Sequence, residues 1–391
     1  MYAMRPMPRS VDPISDPLSV PVGVPDPALA RAGGILTIDL AAIVANWRAL
    51  VGHAPSAECA AVLKADAYGL DAARVAPALA AAGCRTFFVA HLDEGIALRR
   101  ILPGGARIAV LHGPMPGTEG EFPAHTLLPV LNSTEQVRDY ARLAGTMGRR
   151  LPAILQSDTG MARLGLSRGE LDALVNGGGL SGLDLVLHMS HLACADSPGN
   201  PANPAQLHDF TAACARLPGV PASLSASSGI FLGPDYHFDL VRPGAALYGI
   251  APQAGAPNPL KLAIRLQGRV VQLREVPAAT AIGYGHTAHT TERTHLATIG
   301  IGYADGFLRS LSNRGAGWFR GVRLPIVGRV SMDSVILDAS ALPAGALHAG
   351  DLVDFIGPDQ DLDAIARDAG TIGYEILTSL GARYPRRHLG L

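Results

Sequence analysis

The alternation of short apolar runs with amphipathic helical stretches constrains the fold of this chain more than any other feature of its sequence. Between residues 59 and 244 there are about eight near-continuous apolar runs, and most of them are followed by a helical pattern. Such repeated units are typical of a parallel (β/α)8 barrel of the TIM type. An open, doubly wound sheet would need a glycine-rich phosphate turn after its first strand, and the sequence has none there.

The sequence pattern changes after about Leu260. Apolar and polar residues then alternate with period two in runs separated by Gly and Pro, which predicts a mainly antiparallel β domain with one late helix near residues 361–380. At the other end, prolines interrupt the first 34 residues, so we expect a disordered or loosely attached extension. The predicted organisation is an extension at 1–34, a (β/α)8 barrel at 35–260 and a C-terminal β domain at 261–391.

The overall composition excludes several classes of function. The formal net charge of the 391 residues is −1, and 17% of them are charged, a balance that favours neither nucleic acid nor an acidic membrane as a partner. No apolar run approaches the roughly 18 residues that a membrane helix needs. The four cysteines form no CxxC pair, so we expect neither a metal site nor disulfides, and a reducing, cytoplasmic compartment is favoured.

Lys64 follows the first apolar run of the predicted barrel, directly before a turn. Lysine is rarely buried without a partner. Burial would lower the pKa of its ammonium group and so favour the amine that acts as a nucleophile or a base. The alternative is a strand-end lysine whose ammonium group reaches water along the surface.

Other polar residues also follow the ends of predicted strands. Because the carboxyl ends of parallel strands meet at one rim of a barrel, and barrel enzymes build their sites at that rim, we expect these residues to lie together. Loops after the seventh and eighth strands commonly bind phosphate there, and small residues let their N–H groups approach an anion. The residues concerned are Lys64, Arg163, His188, His191, Ser227, Ser228, Arg242 and Gly244.

Nine motifs in the chain together resemble the alanine racemase family, whose members use pyridoxal phosphate (PLP) and combine a TIM-like barrel with a C-terminal β domain. The resemblance covers about residues 34–388. In chain order, the motifs are AVLKADAYG, SDTGMARLG, HMSHLACAD, SASSGIFLG, VRPGAALYG, AIGYGHT, IGYADGF, PIVGRVSMD and TIGYE.

The resemblance implies racemization of alanine by two bases, because inversion at carbon removes a proton on one face and returns one on the other. Lys64 would carry PLP as an internal aldimine and exchange the proton on the D face. Tyr284 would serve the L face, with His191 and Arg242 stabilising its phenolate, since an ordinary phenol has a pKa near 10. D-alanine supply for peptidoglycan is the implied role, and a catabolic role stays open.

The resemblance also assigns binding residues. Arg242 would face the pyridine nitrogen of PLP, and Arg163 would reach its phenolic oxygen and the substrate carboxylate, to which the Met332 backbone also binds. Head-to-tail homodimers with sites shared between subunits are implied. The implied phosphate contacts are Tyr68, Ser227, Gly244, Ala245 and Tyr374, and the implied residues of the access channel are Tyr303, Asp305 and Asp333.

The sequence departs from the family pattern at a few positions. Gln156 stands where many members have a carbamylated lysine, so we expect either a direct hydrogen bond in which Arg163 donates to the Gln156 amide oxygen or a bound anion such as chloride. Ala226 replaces an asparagine, Ser331 a common cysteine, and Ala245 a bulkier residue. None of these is a proposed catalytic group, but they leave affinity and substrate range open.

Three alternative functions remain. A broad-specificity amino-acid racemase would share every motif. PLP decarboxylases of basic amino acids share the architecture but use a stronger electron sink than an arginine partner supplies. Single-domain PLP carriers lack a second domain with a base, which argues against them because this chain continues through residues 261–391 with Tyr284.

Overall fold

The computed structural model describes residues 27–102 and 104–390. The strands are β1 (Gly34–Asp39), β2 (Glu58–Cys59), β3 (Ala61–Val62), β4 (Thr86–Val89), β5 (Arg107–Val110), β6 (Leu128–Leu131), β7 (Leu151–Gln156), β8 (Leu183–Met189), β9 (Ala222–Ser223), β10 (Leu240–Val241), β11 (Ile264–Val276), β12 (Ala281–Ile282), β13 (Ala288–His289), β14 (Thr294–Ile299), β15 (Ala316–Phe319), β16 (Val322–Pro325), β17 (Val335–Asp338), β18 (Leu352–Ile356) and β19 (Arg386–Leu389). The α-helices are α1 (Pro27–Arg31), α2 (Leu40–His53), α3 (Lys64–Gly69), α4 (Ala72–Ala81), α5 (Leu92–Ile101), α6 (Glu121–Ala124), α7 (Thr134–Thr146), α8 (Arg168–Asn176), α9 (Ala202–Cys214), α10 (Leu362–Ala369) and α11 (Gly373–Ser379).

The parallel strands close into a barrel. Strands β3 to β9 pair in chain order, each parallel to the next. Strand β10 pairs in parallel with β2, which continues through Ala60 into β3. The Arg242 N–H donates to the Ser225 carbonyl at 2.9 Å and links β10 back towards β9. The predicted TIM-like barrel is thus confirmed.

Both faces of the barrel strands are buried, which explains their near-continuous apolar sequences. In β4, Phe88 belongs to an apolar cluster formed by the barrel strands, whereas Phe87 and Val89 belong to the larger core shared with the surrounding helices. Caps fix where helices begin: the Ser133 hydroxyl accepts the Gln136 N–H at the start of α7, as expected of a serine N-cap.

The C-terminal region forms a mostly antiparallel sheet, as predicted. Its strand order is β16-β15-β18-β11-β1-β19, and β14 pairs with β11 and β17. A bidentate, mostly buried ion pair between Arg265 and Asp354 ties β11 to β18 at 2.7 and 2.8 Å. The apolar core continues from the barrel helices into this sheet.

Two predicted boundaries need correction. Strand β1, which we placed in the barrel range 35–260, pairs antiparallel with β11 and parallel with β19 and so belongs to the C-terminal sheet. Residues 27–34, assigned to a loose extension, are held by Arg269, whose guanidinium donates to the Leu29 and Ala32 carbonyls at 2.8 and 2.9 Å. Residues 1–26 of that prediction lie outside the described residues.

The single late helix expected near 361–380 is two helices. Helix α10 ends where Gly370 adopts a left-handed conformation (φ 72°), and α11 follows after a short turn. Helix α11 packs against the turn that follows Lys64, where a Cβ on Gly69 would lie 3.0 Å from the Leu377 carbonyl oxygen. Within the described part of the chain, no helix has the length and apolarity needed to cross a membrane.

Candidate active site at the carboxyl rim of the barrel

Lys64 lies directly after β3, at the carboxyl rim, and is half-buried. Desolvation by burial lowers the pKa of its ammonium group, the nearby Arg163 cation lowers it further, and Glu94 opposes both. The sequence left open whether this lysine reaches water freely. The structure gives it the environment that favours a neutral, nucleophilic amine.

The turn after Lys64, which is the segment labelled α3, has an uncommon backbone and is not a right-handed α-helix. Residues Ala65 to Tyr68 all have left-handed conformations, with φ between 54° and 59°. Each such residue costs about 1 kcal/mol or more relative to a right-handed one, so tertiary contacts must hold the turn. Glu94 accepts the Ala65 N–H at 2.6 Å, and Arg386 donates to the Gly69 carbonyl at 3.0 Å.

Neither the left-handed turn nor the part that Glu94 plays in it was predicted from the sequence. One local signal does exist for Glu94: it is the third residue of α5, in HLDE, and forms a capping box with His91. That signal predicts a helix start and carries no information about a turn about 29 residues earlier in the chain.

Tyr68, Gly244 and Ser227 form a tightly packed group beside the turn. The Tyr68 hydroxyl lies so close to Gly244 that an added Cβ there would be 2.3 Å from it. The Ser227 hydroxyl oxygen accepts the N–H groups of Gly244 and Ala246 at 3.0 and 3.2 Å. The Gly244 N–H, expected to be a phosphate donor, is therefore engaged by Ser227 in this structure.

Tyrosine rings extend this group towards the C-terminal region. The Tyr68 ring packs against Tyr248 and Tyr374, with centroid separations of 5.0 and 6.1 Å. Burial raises the pKa of both the Tyr68 and Tyr374 phenols, so both are hydrogen-bond donors at neutral pH. Tyr374 is on α11, so this helix of the C-terminal region reaches the barrel rim of its own chain.

Arg242 is almost fully buried beneath the rim, with 3% of its surface exposed. Its guanidinium donates to the Ser190 and Leu224 carbonyls at 2.6 and 3.3 Å and also to the Ser223 hydroxyl. Burial lowers its pKa to about 9, so the group remains a cation at neutral pH and serves as a donor only.

His191 lies among these cations. Desolvation, together with the charges of Arg242, Arg163 and Lys64, lowers the pKa of its imidazole to about 3. The ring is therefore neutral at physiological pH and can accept a hydrogen bond at one nitrogen. Lys64, Arg163, His191 and Arg242, which are widely separated in sequence, meet at one rim.

Arg163 lies on a loop with a strongly constrained backbone. The Asp158 carboxylate accepts the N–H groups of Gly160, Met161 and Ala162 at 2.8 to 3.0 Å. Gly165 has φ 111°, and a Cβ there would lie 2.6 Å from the Asp158 nitrogen. The loop therefore has a defined shape, while the Arg163 side chain it carries is exposed.

The expected hydrogen bond from Arg163 to the Gln156 amide oxygen is wrong. The buried Gln156 amide instead donates to the Leu164 carbonyl at 3.2 Å. No hydrogen bond between Gln156 and Arg163 occurs among the described residues. The bound-anion alternative stays a prediction.

Tyr284 and Met332 are exposed on the C-terminal region of their own chain. Their exposed fractions are 71% and 53%. Within residues 27–102 and 104–390, no hydrogen bond or ion pair joins either one to Lys64.

The predicted access-channel residues cluster in the β domain next to Met332. Arg383 bridges the carboxylates of Asp305 and Asp333 at 3.0 and 2.7 Å. The Tyr303 N–H donates to the Ser331 carbonyl at 3.0 Å. These contacts show one cluster, and its function in access to the site stays a prediction.

A cavity of about 960 Å3 opens at the rim beside His191, Ser227 and Tyr374. Two further histidines, which the sequence analysis did not identify, lie near Lys64. His91 and His112 stack edge-to-face at 4.6 Å, and burial first, then the charges of His91 and Lys64, lower the pKa of His112. His188, in contrast, is fully buried in the core and bonds to the Ser157 hydroxyl at 2.8 Å.

The similarity of the chain to known sequences extends over both domains. The sequence model of the alanine racemase N-terminal domain matches residues 38–252, and that of the C-terminal domain matches residues 263–388. A catabolic alanine racemase from Agrobacterium fabrum is 54% identical over 363 residues, or 93% of this chain and 94% of the relative. An alanine racemase from Rhodospirillum rubrum is 50% identical over 363 residues, or 92% of this chain and 97% of the relative.

Solved structures share the same fold. Alanine racemase from Bartonella henselae, solved with covalently bound pyridoxal phosphate, superposes with a TM-score of 0.89 at 44% identity, covering 92% of this chain and all of that one. The biosynthetic alanine racemase from Pseudomonas aeruginosa gives 0.86 at 34% identity, again over 92% of this chain and 100% of that one. The similarity thus holds for both the barrel and the C-terminal sheet.

Proposed function

Because the chain belongs to the alanine racemase family, we propose that it interconverts L- and D-alanine and that Lys64 holds the PLP used in the reaction. The observation that carries this proposal is the half-buried Lys64 at the barrel rim. Its pKa is lowered, and the cations Arg163 and Arg242 lie at the same site. Burial favours the neutral amine that attacks a carbonyl carbon or removes a proton.

The residues around Lys64 fit a phosphate-bearing cofactor. The Ser227 oxygen already accepts two N–H groups, so its own hydroxyl proton is available for an anion. Because Gly244 has no Cβ, the Tyr68 hydroxyl can lie next to its backbone, where any side chain would collide with it. Tyr68 and Tyr374 add two phenolic donors. When bound, PLP withdraws electrons from the substrate α-carbon and so makes its C–H bond acidic.

Arg242 is the residue we assign to the ring nitrogen of the cofactor. Three of its five N–H donors bond to the protein, which leaves two for a ligand. A donor that keeps its proton leaves the ring nitrogen unprotonated and weakens electron withdrawal. This favours reversible proton transfer over reactions that need a long-lived carbanion, such as decarboxylation.

Arg163 and the Met332 backbone are assigned to the substrate carboxylate. The guanidinium of Arg163 is exposed at the rim next to Lys64, and its planar fork matches a carboxylate in two parallel hydrogen bonds. Holding the carboxylate fixes which face of the α-carbon is presented to Lys64. Lys64, on the barrel, then exchanges the proton at that face.

Tyr284 is proposed as the base for the opposite face, contributed by a second subunit. Its high exposure on its own chain leaves its hydroxyl available to a neighbouring barrel. The neutral His191 imidazole can hydrogen-bond to the Tyr284 phenolic oxygen, and the adjacent Arg242 charge stabilises the phenolate. The proposed active unit is therefore a homodimer with shared sites.

Exchange of the α-hydrogen in deuterium oxide tests the two bases separately. We expect Tyr284→Phe to bind PLP and still exchange the α-proton of D-alanine, while exchange on L-alanine falls by 10²-fold or more, the usual contribution of a positioned base. Lys64→Ala should lose the visible absorbance of the bound cofactor. The measurement is NMR loss of the α-proton signal from each enantiomer.

The same assay defines the substrate range. Wild-type protein is the control, and serine and lysine are assayed beside alanine. Equal losses on both enantiomers in Tyr284→Phe would contradict the assignment of one base to each face. Comparable wild-type rates on serine or lysine would replace alanine racemization with the broad-specificity alternative.

We further propose that the D-alanine made here supplies cell-wall peptidoglycan. The relatives differ in their named roles: the Agrobacterium fabrum enzyme is named catabolic, and the Pseudomonas aeruginosa enzyme is named biosynthetic. Deletion of the gene should produce a requirement for D-alanine in growth. Normal growth without D-alanine, together with failure to grow on alanine as the carbon source, would favour the catabolic role.

A further inference from the structure

The Glu94 carboxylate joins two loops at the carboxyl rim of the barrel. One oxygen accepts the Ala65 N–H at 2.6 Å, and the other accepts the N–H groups of Ala90 and His91 at 2.8 and 2.9 Å. The last two contacts cap helix α5, a local task that an N3 glutamate commonly has. The first contact crosses to the residue that directly follows Lys64.

The contact with Ala65 lies at the start of the left-handed turn. Ala65 is the first of four consecutive residues with positive φ, and such a turn does not form from local preference. Its far end is held by Arg386 at the Gly69 carbonyl and by helix α11. At the Lys64 end, Glu94 provides the hydrogen-bond acceptor.

Glu94 also supplies negative charge next to Lys64. The titratable and charged groups that interact with Lys64 or lie around it are Arg163, Glu94, His91, His112, His191 and Arg242. Arg163 lowers the pKa of Lys64 and Glu94 raises it. Loss of the Glu94 charge would therefore leave the lysine among cationic and neutral groups.

We propose that Glu94 is a positioning residue for Lys64: its carboxylate fixes the turn that presents the ε-amine and sets the balance between the ammonium and the amine. The inference rests on the proposed function in so far as Lys64 is the residue that holds PLP. Glu94 contacts the backbone next to Lys64 and acts through it.

The chain allows this to be measured directly because it has two lysines, Lys64 and Lys261. Lys261 is exposed and serves as an internal reference. Apoprotein is acetylated with a trace of isotopically labelled acetic anhydride at pH 6 to 11, and the labelled fraction at each lysine is measured by mass spectrometry. The ratio of the labelled fraction at Lys64 to that at Lys261, plotted against pH, gives the pH at which half of the Lys64 amine is deprotonated.

Glu94→Gln is compared with Glu170→Gln, a matched control. Glu170 is also an N3 capping-box glutamate, in α8, and it accepts the Ser167 N–H at 2.8 Å. We expect Glu94→Gln to move the Lys64 midpoint to lower pH and to speed amide hydrogen exchange of residues 64–69 by at least tenfold. Glu170→Gln should change neither quantity.

Glu94→Asp separates the effect of the carboxylate charge from that of side-chain length, and it replaces Glu94→Gln if that variant does not fold. Aspartate keeps the charge but is one methylene shorter, so the midpoint should stay near the wild-type value while exchange in the turn accelerates. An unchanged midpoint and unchanged exchange in both Glu94 variants would overturn the proposal.

Reduction of the wild-type holoenzyme with borohydride tests whether Lys64 is the residue that holds PLP. PLP found elsewhere than on Lys64 would refute the proposed function and leave the Glu94 result intact.

Discussion

At the scale of single residues, environment decides what a side chain can do. Lys64 and Lys261 are the same residue type, yet one is half-buried between a strand end and Arg163, and the other is exposed. His188 and His191 are three residues apart at the end of one strand and its following loop. His188 bonds within the core, whereas His191 lines the cavity among the cations of the rim.

The buried His188 predicts a pH-dependent loss of stability. Desolvation lowers the pKa of its imidazole to about 4 in the folded protein, below the value of about 6.5 in the unfolded chain. The unfolded state therefore binds the proton more readily. Stability should be complete above pH 6.5 and fall as the pH drops towards 4, by at most about 1.4 kcal/mol per pH unit for this group.

Urea midpoints at pH 7.5, 6.5 and 5.5 measure this loss in wild type and in His188→Gln. The glutamine variant should start from a lower midpoint and lose less of it on acidification. His208→Gln on α9, at an exposed histidine, is the control and should behave as wild type. Parallel pH profiles for wild type and His188→Gln would exclude this histidine as the cause.

At the scale of elements, the loops after the strands carry the site, and their shapes come from backbone contacts. The loop between β7 and α8 is shaped by the Asp158 carboxylate, which accepts three N–H groups. The turn after β3 is left-handed and is held from both ends. In both places, rigid strands set the position while contacts within or between loops set the direction of the functional side chain.

Gly165→Ala should disturb the loop that carries Arg163. The new Cβ would lie 2.6 Å from the Asp158 nitrogen in a backbone conformation, φ 111°, that side chains avoid. We expect a stability loss of about 1–3 kcal/mol and a several-fold higher KM for alanine, because Arg163 would no longer be aligned. Thermal unfolding and steady-state kinetics measure the two effects.

Gly233→Ala is the matched control for that substitution. Gly233 has a similar φ of 115°, but nothing lies within 4 Å of its added Cβ. Gly233→Ala should lower the stability through its unfavourable φ alone, with no collision and no change in the KM for alanine. Equal effects of the two substitutions on KM would refute the idea that the Asp158 loop aligns Arg163.

At the scale of the whole molecule, the two domains are built as one unit, and the proposed site takes Tyr284 from a second copy of the chain. Strand β1 precedes the barrel in sequence and pairs in the C-terminal sheet, so the chain crosses between the domains at both ends of the barrel. Tyr374 reaches the barrel rim of its own chain, whereas Tyr284 is left exposed.

Subunit mixing tests whether Tyr284 acts across an interface. Lys64→Ala and Tyr284→Phe homodimers should each lack racemase activity. After equal amounts are unfolded together and refolded, half of the dimers are hybrids with one intact site of two, so activity should recover to about one quarter of wild type. Refolding each variant alone is the control, and no recovery despite proven hybrid formation would place both bases in one subunit.

The class of fold and the rim residues of the barrel follow from the sequence pattern. Apolar periodicity is a local property, and the ends of parallel strands meet at one rim by geometry. Lys64, Arg163, His191 and Arg242 are therefore predicted to lie together from the sequence. The family resemblance supplied their assigned functions, which periodicity does not contain.

Tertiary structure alone decided the features that depend on contacts between distant segments. The pairing of β1 with β11 joins residues more than 200 positions apart, so no local pattern could assign β1 to the C-terminal sheet. The left-handed turn after Lys64 runs against local backbone preference and exists because Glu94 and Arg386 hold it. The turn that follows Lys64 is therefore held by residues that lie far from it in the sequence.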